Sequence, residues 1–97
     1  MQATPIEDRI ERGGRAREVL ENEVFIEAFE ATEREMIERW KDSPARDSDG
    51  REKIWMYLSM LRKVRAHLET TMETGELGKI ELNHRATAAE RVRSLFA

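Results

Sequence analysis

Two amphipathic stretches of matched length and opposite charge constrain this 97-residue chain more than any other feature. Residues 17–41 carry eight Glu against four Lys and Arg, whereas residues 50–74 carry five Lys and Arg against three Glu. Opposite charges favour pairing of the two segments, although exposed ion pairs contribute only about 0 to 1 kcal/mol each. The pattern therefore predicts an all-α antiparallel helical hairpin that is held together mainly by apolar burial.

The apolar residues of both arms have helical spacing. In the first arm they recur every three or four positions after Asn22, which is a suitable N-cap for a helix beginning at Glu23. In the second arm, one set of residues recurs every seven positions and a second set fills the other seam position. The predicted hairpin core comprises Phe25, Phe29, Met36, Trp40, Ile54, Leu58, Leu61, Val64 and Leu68.

The boundaries of the arms follow from turn and cap residues. Residues 43–50 collect turn formers around Pro44, which interrupts a continuous helix. Asp49 and Glu52 have the spacing of a capping box, and Gly75 is a suitable C-terminal cap. These signals place the hairpin at residues 17–74.

The flanking segments are predicted to be less ordered. Residues 1–16 form an N-terminal arm, mobile or only partly helical around Gly13 and Gly14, and residues 75–86 form a linker. Thr87 and Glu90 again have capping-box spacing, which predicts a short C-terminal helix over residues 87–96 within a docking segment, residues 87–97. Such a short helix is marginal in water, so we expect it to dock on a partner through Val92, Leu95 and Phe96.

Apolar residues outside the seam predict that the protein self-associates. A hairpin shields only one side of each helix, and Ile26, Ile37, Trp55, Met56 and Met60 lie off the predicted seam. The alternative is that the terminal helices fold back and cover these residues within a monomeric bundle.

The sequence favours a non-enzymatic protein with no catalytic residue, metal or cofactor. Cysteine is absent, so disulfides and thiolate chemistry are excluded. His67 and His84 belong to no cluster with metal-ligand spacing, and no serine or glycine-rich segment matches a nucleophile or phosphate-loop motif. No apolar run is long enough to cross a bilayer, and no leader pattern opens the chain. We therefore expect a cytoplasmic protein without a membrane partner.

Nucleic acid is a weaker candidate partner. Basic residues gather in both terminal segments and could neutralise phosphates, but acidic residues interleave with the first group, so solvated termini are the competing interpretation. The candidate DNA-contact residues are Arg9, Arg12, Arg15, Arg17, Lys79, Arg85, Arg91 and Arg93.

About two thirds of the chain resembles small proteins encoded by tailed phages and prophages. The resemblance is carried by residues 17–22, 25, 28–29, 37–40, 51–55 and 67–69, which read REVLEN, F, AF, IERW, REKIW and HLE. In that setting the hairpin is similar to the oligomerisation core of small terminase subunits, which form rings, recognise packaging DNA and regulate the large terminase. The resemblance implies a homo-oligomer in the cytoplasm of the host cell, with a large terminase as the larger protein partner.

The predicted function is thus that of a self-associating phage protein in DNA packaging or virion assembly. The alternative is a small regulatory or adaptor module that binds a single host or phage protein and does not contact DNA.

Overall fold

The computed structural model describes residues 5–96 and shows three α-helices, α1 (Ile6–Glu21), α2 (Glu23–Asp42) and α3 (Ser48–Phe96). The all-α prediction is confirmed. The 49 residues of α3 extend about 73 Å at 1.5 Å per residue, close to the longest dimension of the molecule, 76 Å. Helices α1 and α2 lie one after the other along α3, and each runs antiparallel to it. Most contacts between helices therefore involve α3.

Helix α1 replaces the loosely ordered arm that the sequence predicts for residues 1–16, of which 1–4 lie outside the described residues. The helix begins after Pro5, and Glu7 and Asp8 in its first turn favour the positive end of the helix dipole. Ile6 and Ala16 are buried against α3. Of the two predicted states of the arm, mobile or partly helical, the described residues adopt a helix, because tertiary contact with α3 stabilises a helix that its two glycines disfavour.

Asn22 separates α1 from α2 without adding a loop. Its backbone is extended, with φ −69° and ψ 121°, and its side-chain oxygen accepts a hydrogen bond from the Phe25 N–H at 3.0 Å. This is the N-cap that the sequence predicts for a helix starting at Glu23. The helical backbone is therefore interrupted at Asn22, and α1 and α2 contact different segments of α3.

Arg51 stabilises the turn between α2 and α3. Its guanidinium donates to the Ser43 carbonyl at 3.0 Å and lies over the Trp40 ring, 4.0 Å from the ring centroid. Asp47 caps α3 by accepting from the Gly50 N–H at 3.1 Å. The predicted cap, Asp49, instead lies inside the first turn, because α3 begins at Ser48.

Helix α3 does not stop at Gly75. The predicted linker of residues 75–86 and the separate helix of residues 87–96 are both parts of one continuous helix, and none of the glycines has positive φ. Thr87 makes no cap, since its hydroxyl donates to the Asn83 carbonyl of the preceding turn at 3.0 Å. The domain boundaries predicted after residue 74 are therefore wrong.

Glycines explain why α3 continues, because they allow α1 to approach it closely. A Cβ placed on Gly13 would lie 2.7 Å from the Gly75 Cα, and a Cβ on Gly75 would lie 2.9 Å from the Arg9 carbonyl oxygen. A Cβ on Gly78 would lie 3.2 Å from Ile10 Cγ1. Packing at this distance offsets the helix-propensity cost of glycine, which is about 1 kcal/mol per residue.

Helix α2 packs on the first half of α3 through a small apolar core. Phe29 and Leu58 are buried, and the Arg65 guanidinium lies 4.5 Å from the centroid of the Phe29 ring. Arg62 pairs with Glu33 at 2.9 Å beside this core. A hairpin centred on residue 45 would place Leu61 opposite Phe29. The residue that lies over Phe29 is instead Arg65, one helical turn further along α3.

The predicted core residues divide into three groups by burial. Phe29 and Leu58 are buried, while Phe25, Met36, Ile54, Leu61 and Leu68 are half-buried. Trp40 is 41% exposed, and the Arg51 guanidinium lies over its ring. Val64 is 57% exposed, so its assignment to the core is wrong. The reason is that α2 covers the face of α3 carrying Leu58 and Arg65, and Val64 lies on the neighbouring face.

Candidate self-association surface

The last part of α3 projects beyond the other two helices. The contacts of α1 with α3 end near Glu81, to which Arg9 of α1 forms an ion pair at 3.6 Å. Every residue from 83 to 96 is exposed, and this segment extends for about 21 Å. We call residues 83–96 the α3 extension.

One apolar stripe runs along the α3 extension and the turn before it. Its members are separated by 3, 4, 4, 4 and 3 residues, which averages the 3.6-residue repeat of a straight helix and places them on one line. Leu77 and Ile80, at the near end, are 65% and 64% exposed, and Leu95, at the far end, is 80% exposed. The α3 stripe consists of Leu77, Ile80, His84, Ala88, Val92 and Leu95.

The α3 stripe has the same spacing in both directions. An antiparallel second copy centred on residue 86 would place Leu77 against Leu95, Ile80 against Val92, and His84 against Ala88. Two of the three pairs join aliphatic side chains, and the third joins His84 to the small Ala88. The two members of each pair are equally far from residue 86, so they lie opposite each other along the helix axis. The stripe is therefore complementary to itself under two-fold symmetry, the relation found in most protein dimers.

A second apolar surface lies on the first half of α3, beside the face covered by α2. Met56 and Met60 are 55% and 65% exposed, and the others are similarly accessible. This α3 side patch consists of Met56, Tyr57, Met60 and Val64, which share one side of the helix. Contiguous apolar surface of this kind is typical of interaction sites.

The predicted docking residues lie within the α3 extension. Val92 and Leu95 belong to the α3 stripe, whereas Phe96 follows Leu95 by one residue and so points about 100° away from it. All three are exposed. Val92 and Leu95 therefore belong to a larger surface that begins in the segment predicted to be a linker.

The structure disperses the basic residues predicted to contact DNA. Arg17 pairs with Glu76 and Arg9 with Glu81, so both join α1 to α3. Arg15 and Arg85 pair along their own helices with Glu11 and Glu81. Within residues 5–96, the remaining four, Arg12, Lys79, Arg91 and Arg93, form no ion pair. Arg12 lies on α1 and the other three lie on α3.

Both histidines of the chain lie on α3. His67 and His84 are both exposed, and no group of three or more His, Asp or Glu within residues 5–96 is arranged to hold a metal ion. A groove of about 380 Å³ lies between the α1–α2 junction and α3, and its lining includes Leu20, Phe25, Phe29, Arg65 and Met72. No helix in this part of the chain combines the length and apolar character needed to cross a membrane.

The sequence analysis missed the residues that place the α3 stripe in space. The sequence predicts loosened structure around Gly13 and a helix end at Gly75, whereas these two glycines and Gly78 lie in the contact between α1 and α3. One sequence signal could have predicted this contact. Both segments that contain these glycines also carry charged residues at helical spacing, which is typical of two helices that pack closely. The roles of Arg51 and Asp47 in stabilising the turn were not predicted, because several polar residues of this segment could form such hydrogen bonds.

Comparison with known proteins assigns no family to the chain. No protein-family model matches it, and neither does any curated protein or solved structure with which it was compared. Nothing in these comparisons links the chain to phage proteins or terminases, so its function has to be argued from its surface.

Proposed function

We propose that this protein is a non-enzymatic helical module that self-associates through the α3 stripe. The observation that carries the proposal is the self-complementary spacing of the stripe on a helix that projects beyond the rest of the fold. A helix with one apolar face needs a partner to cover that face, and the hairpin does not reach it. The occupant that fits the spacing is a second copy of the same chain.

The proposed dimer is antiparallel, with its two-fold axis near residue 86. The paired segment, residues 77–95, is about 27 Å long, so the interface is small compared with obligate dimers. We therefore expect an equilibrium between monomer and dimer that depends on protein concentration. The α3 side patch offers a second contact through which dimers could join into larger assemblies.

For the biological setting we propose DNA packaging or virion assembly in a phage. This finer proposal is supported by the resemblance of residues 17–69 to small terminase subunits and by the elongated shape of the molecule. A large terminase is the protein partner that the resemblance implies, and DNA is the second. The proposed location is the cytoplasm of the host cell.

The second candidate function is an adaptor that binds one other protein and does not contact DNA. The concentration of exposed apolar side chains at the tip of α3 favours it, since Leu95 and Phe96 are 80% and 85% exposed. In this case the α3 extension would lie in a groove of the partner as an amphipathic helix.

Light scattering over a range of protein concentrations tests the first proposal with two matched variants. Val92→Glu places a charge on the α3 stripe, and Ser94→Glu places the same charge on the opposite side of the same turn. Both sites are exposed and distant from the core, so neither change should affect the hairpin. We expect wild type and Ser94→Glu to dimerise and Val92→Glu to remain monomeric.

The adaptor is favoured instead if wild type is monomeric at all concentrations. Equal association of the two variants would show that the stripe is not the interface.

A further inference from the structure

A polar cleft between α1 and α3 contains an unusual set of hydrogen-bond donors. The cleft has a volume of about 230 Å³ and is lined by two arginines from α1 and three threonines from α3, namely Arg9, Arg12, Thr70, Thr71 and Thr74. It lies beside the Gly13–Gly75 contact, where a Cβ on Gly13 would also come within 3.2 Å of the Thr71 carbonyl oxygen. The close approach of the backbones therefore holds the arginines and threonines next to each other.

Much of the donor capacity in this cleft is unused. The Arg9 Nε is buried and has no hydrogen-bond partner among residues 5–96. Only the Thr71 hydroxyl is engaged, donating to the His67 carbonyl at 2.9 Å, while those of Thr70 and Thr74 are free within the same residues. A buried donor without an acceptor costs about 1 to 3 kcal/mol, more if it is charged. A rotation of the Arg9 side chain that brings the Nε–H to an acceptor in the cleft would remove this cost.

The residues that line the cleft include two arginines and no carboxylate. Arg9 is held only loosely, because its Nη2 lies 3.6 Å from Glu81 Oε2 while the other oxygen of Glu81 receives a 2.8 Å hydrogen bond from Arg85. Glu81 is thus shared by two arginines, and Arg12 forms no ion pair within the described residues. Neither lining arginine is therefore fully engaged by a carboxylate.

We infer that this cleft is a binding site for a phosphate-class oxyanion. Two guanidinium groups provide charge-assisted hydrogen bonds, and two threonine hydroxyls four residues apart on α3 provide neutral donors on the other side. The Nη groups of Arg9 and Arg12 are the donors open to the cleft, and the oxyanion supplies an acceptor to Arg9 Nε once the side chain rotates towards it. The same chemistry is offered by free inorganic phosphate and by the phosphodiester of a nucleic acid. The site lies within one copy of the chain, so it does not depend on the proposed dimer.

The test is a titration of the full chain followed by NMR of the arginine Nε–H and threonine signals. The probes are inorganic phosphate and, separately, a 12-base-pair DNA duplex, both at constant ionic strength. We expect saturable shifts at Arg9 and Arg12. Arg12→Gln should weaken binding about tenfold, as expected for loss of a charge-assisted hydrogen bond, and Thr74→Val about two- to tenfold.

Arg15→Gln is the matched control. It removes the same charge from the same helix, but Arg15 pairs with Glu11 and does not line the cleft. Arg12 and Arg15 are both exposed, so neither variant should unfold the protein. Loss of both phosphate and DNA binding in Arg12→Gln alone would assign the site to a nucleic-acid backbone, and loss of phosphate binding alone would assign it to a free oxyanion. Absence of saturable binding to either probe, or equal losses in Arg12→Gln and Arg15→Gln, would overturn the inference.

Discussion

Gly13 of α1 faces Gly75 of α3 so closely that a methyl carbon on Gly13 would lie 2.7 Å from the Gly75 Cα. No real side chain tolerates this distance to backbone, so the two helices would have to separate. Ile6 and Ala16, which are buried on α1, would lose packing as they did so. The contact between two glycines thus determines how α1 lies on α3.

Gly13→Ala and Gly14→Ala should have opposite effects on stability. Gly14 has nothing within 4 Å of the position of a Cβ, so alanine there gains helix propensity, about 0.5 to 1 kcal/mol. Alanine at Gly13 overpacks the contact, and we expect a loss of about 1 to 3 kcal/mol in the free energy of unfolding. Urea unfolding followed by circular dichroism measures both. Stabilisation by both substitutions would contradict the close contact.

The core of the hairpin should respond to Leu58 and not to Val64. Leu58→Ala removes a side chain that is 5% exposed and should cost about 2 to 5 kcal/mol. Val64→Ala should change stability by less than about 0.5 kcal/mol, because Val64 is largely exposed. Thermal unfolding compares the two variants, and a large loss in Val64→Ala would return that residue to the core.

Asn22→Ala should weaken the start of α2. It removes the hydrogen bond that the side chain accepts from the Phe25 N–H, at a cost of about 1 kcal/mol. Asn83→Ala provides the comparison, since Asn83 lies inside α3 and its exposed side chain caps no helix. We expect Asn83→Ala to be neutral or slightly stabilising by the same urea measurement. Equal losses in both variants would show that Asn22 does not act as a cap.

Truncation should show that the α3 extension is needed for association and not for folding. Ending the chain after residue 82 removes only exposed residues, so the melting temperature should stay near that of the wild type while association is lost. Ending it after residue 74 also removes Gly75, Gly78 and the ion-pair partners of Arg9 and Arg17, so α1 should unfold. Helical content and melting temperature report the difference. A cooperative, fully helical protein ending at residue 74 would restore the predicted boundary.

Local sequence signals predicted some elements well and others poorly. The cap at Asn22 and the turn at Pro44 were predictable, because each depends on groups that are neighbours in the chain. Gly75 was misassigned because a glycine after an amphipathic segment has the same local pattern whether it ends a helix or lies against another helix. Val64 was misassigned because heptad spacing identifies two seam positions without showing which of them the partner helix covers.

The candidate surface was partly visible in the sequence. Val92, Leu95 and Phe96 were identified as exposed docking residues from their helical spacing. Leu77, Ile80 and His84 were not joined to them, since the glycines suggested a linker between the two groups. Arg9 and Arg12 were identified as candidate phosphate contacts, but the three threonines opposite them belong to a distant segment and could not be placed there by spacing.

By itself, the sequence determined that this protein is helical, where α2 begins and where the chain reverses, because periodicity, caps and proline act over a few residues. Only the tertiary structure decided that α1 is an ordered helix and that α3 runs unbroken through Gly75 and Gly78. The physical reason is that glycine disfavours an isolated helix but permits close helix packing, and the balance depends on whether a second backbone is present. That second backbone lies about sixty residues away along the chain, beyond the reach of any local pattern.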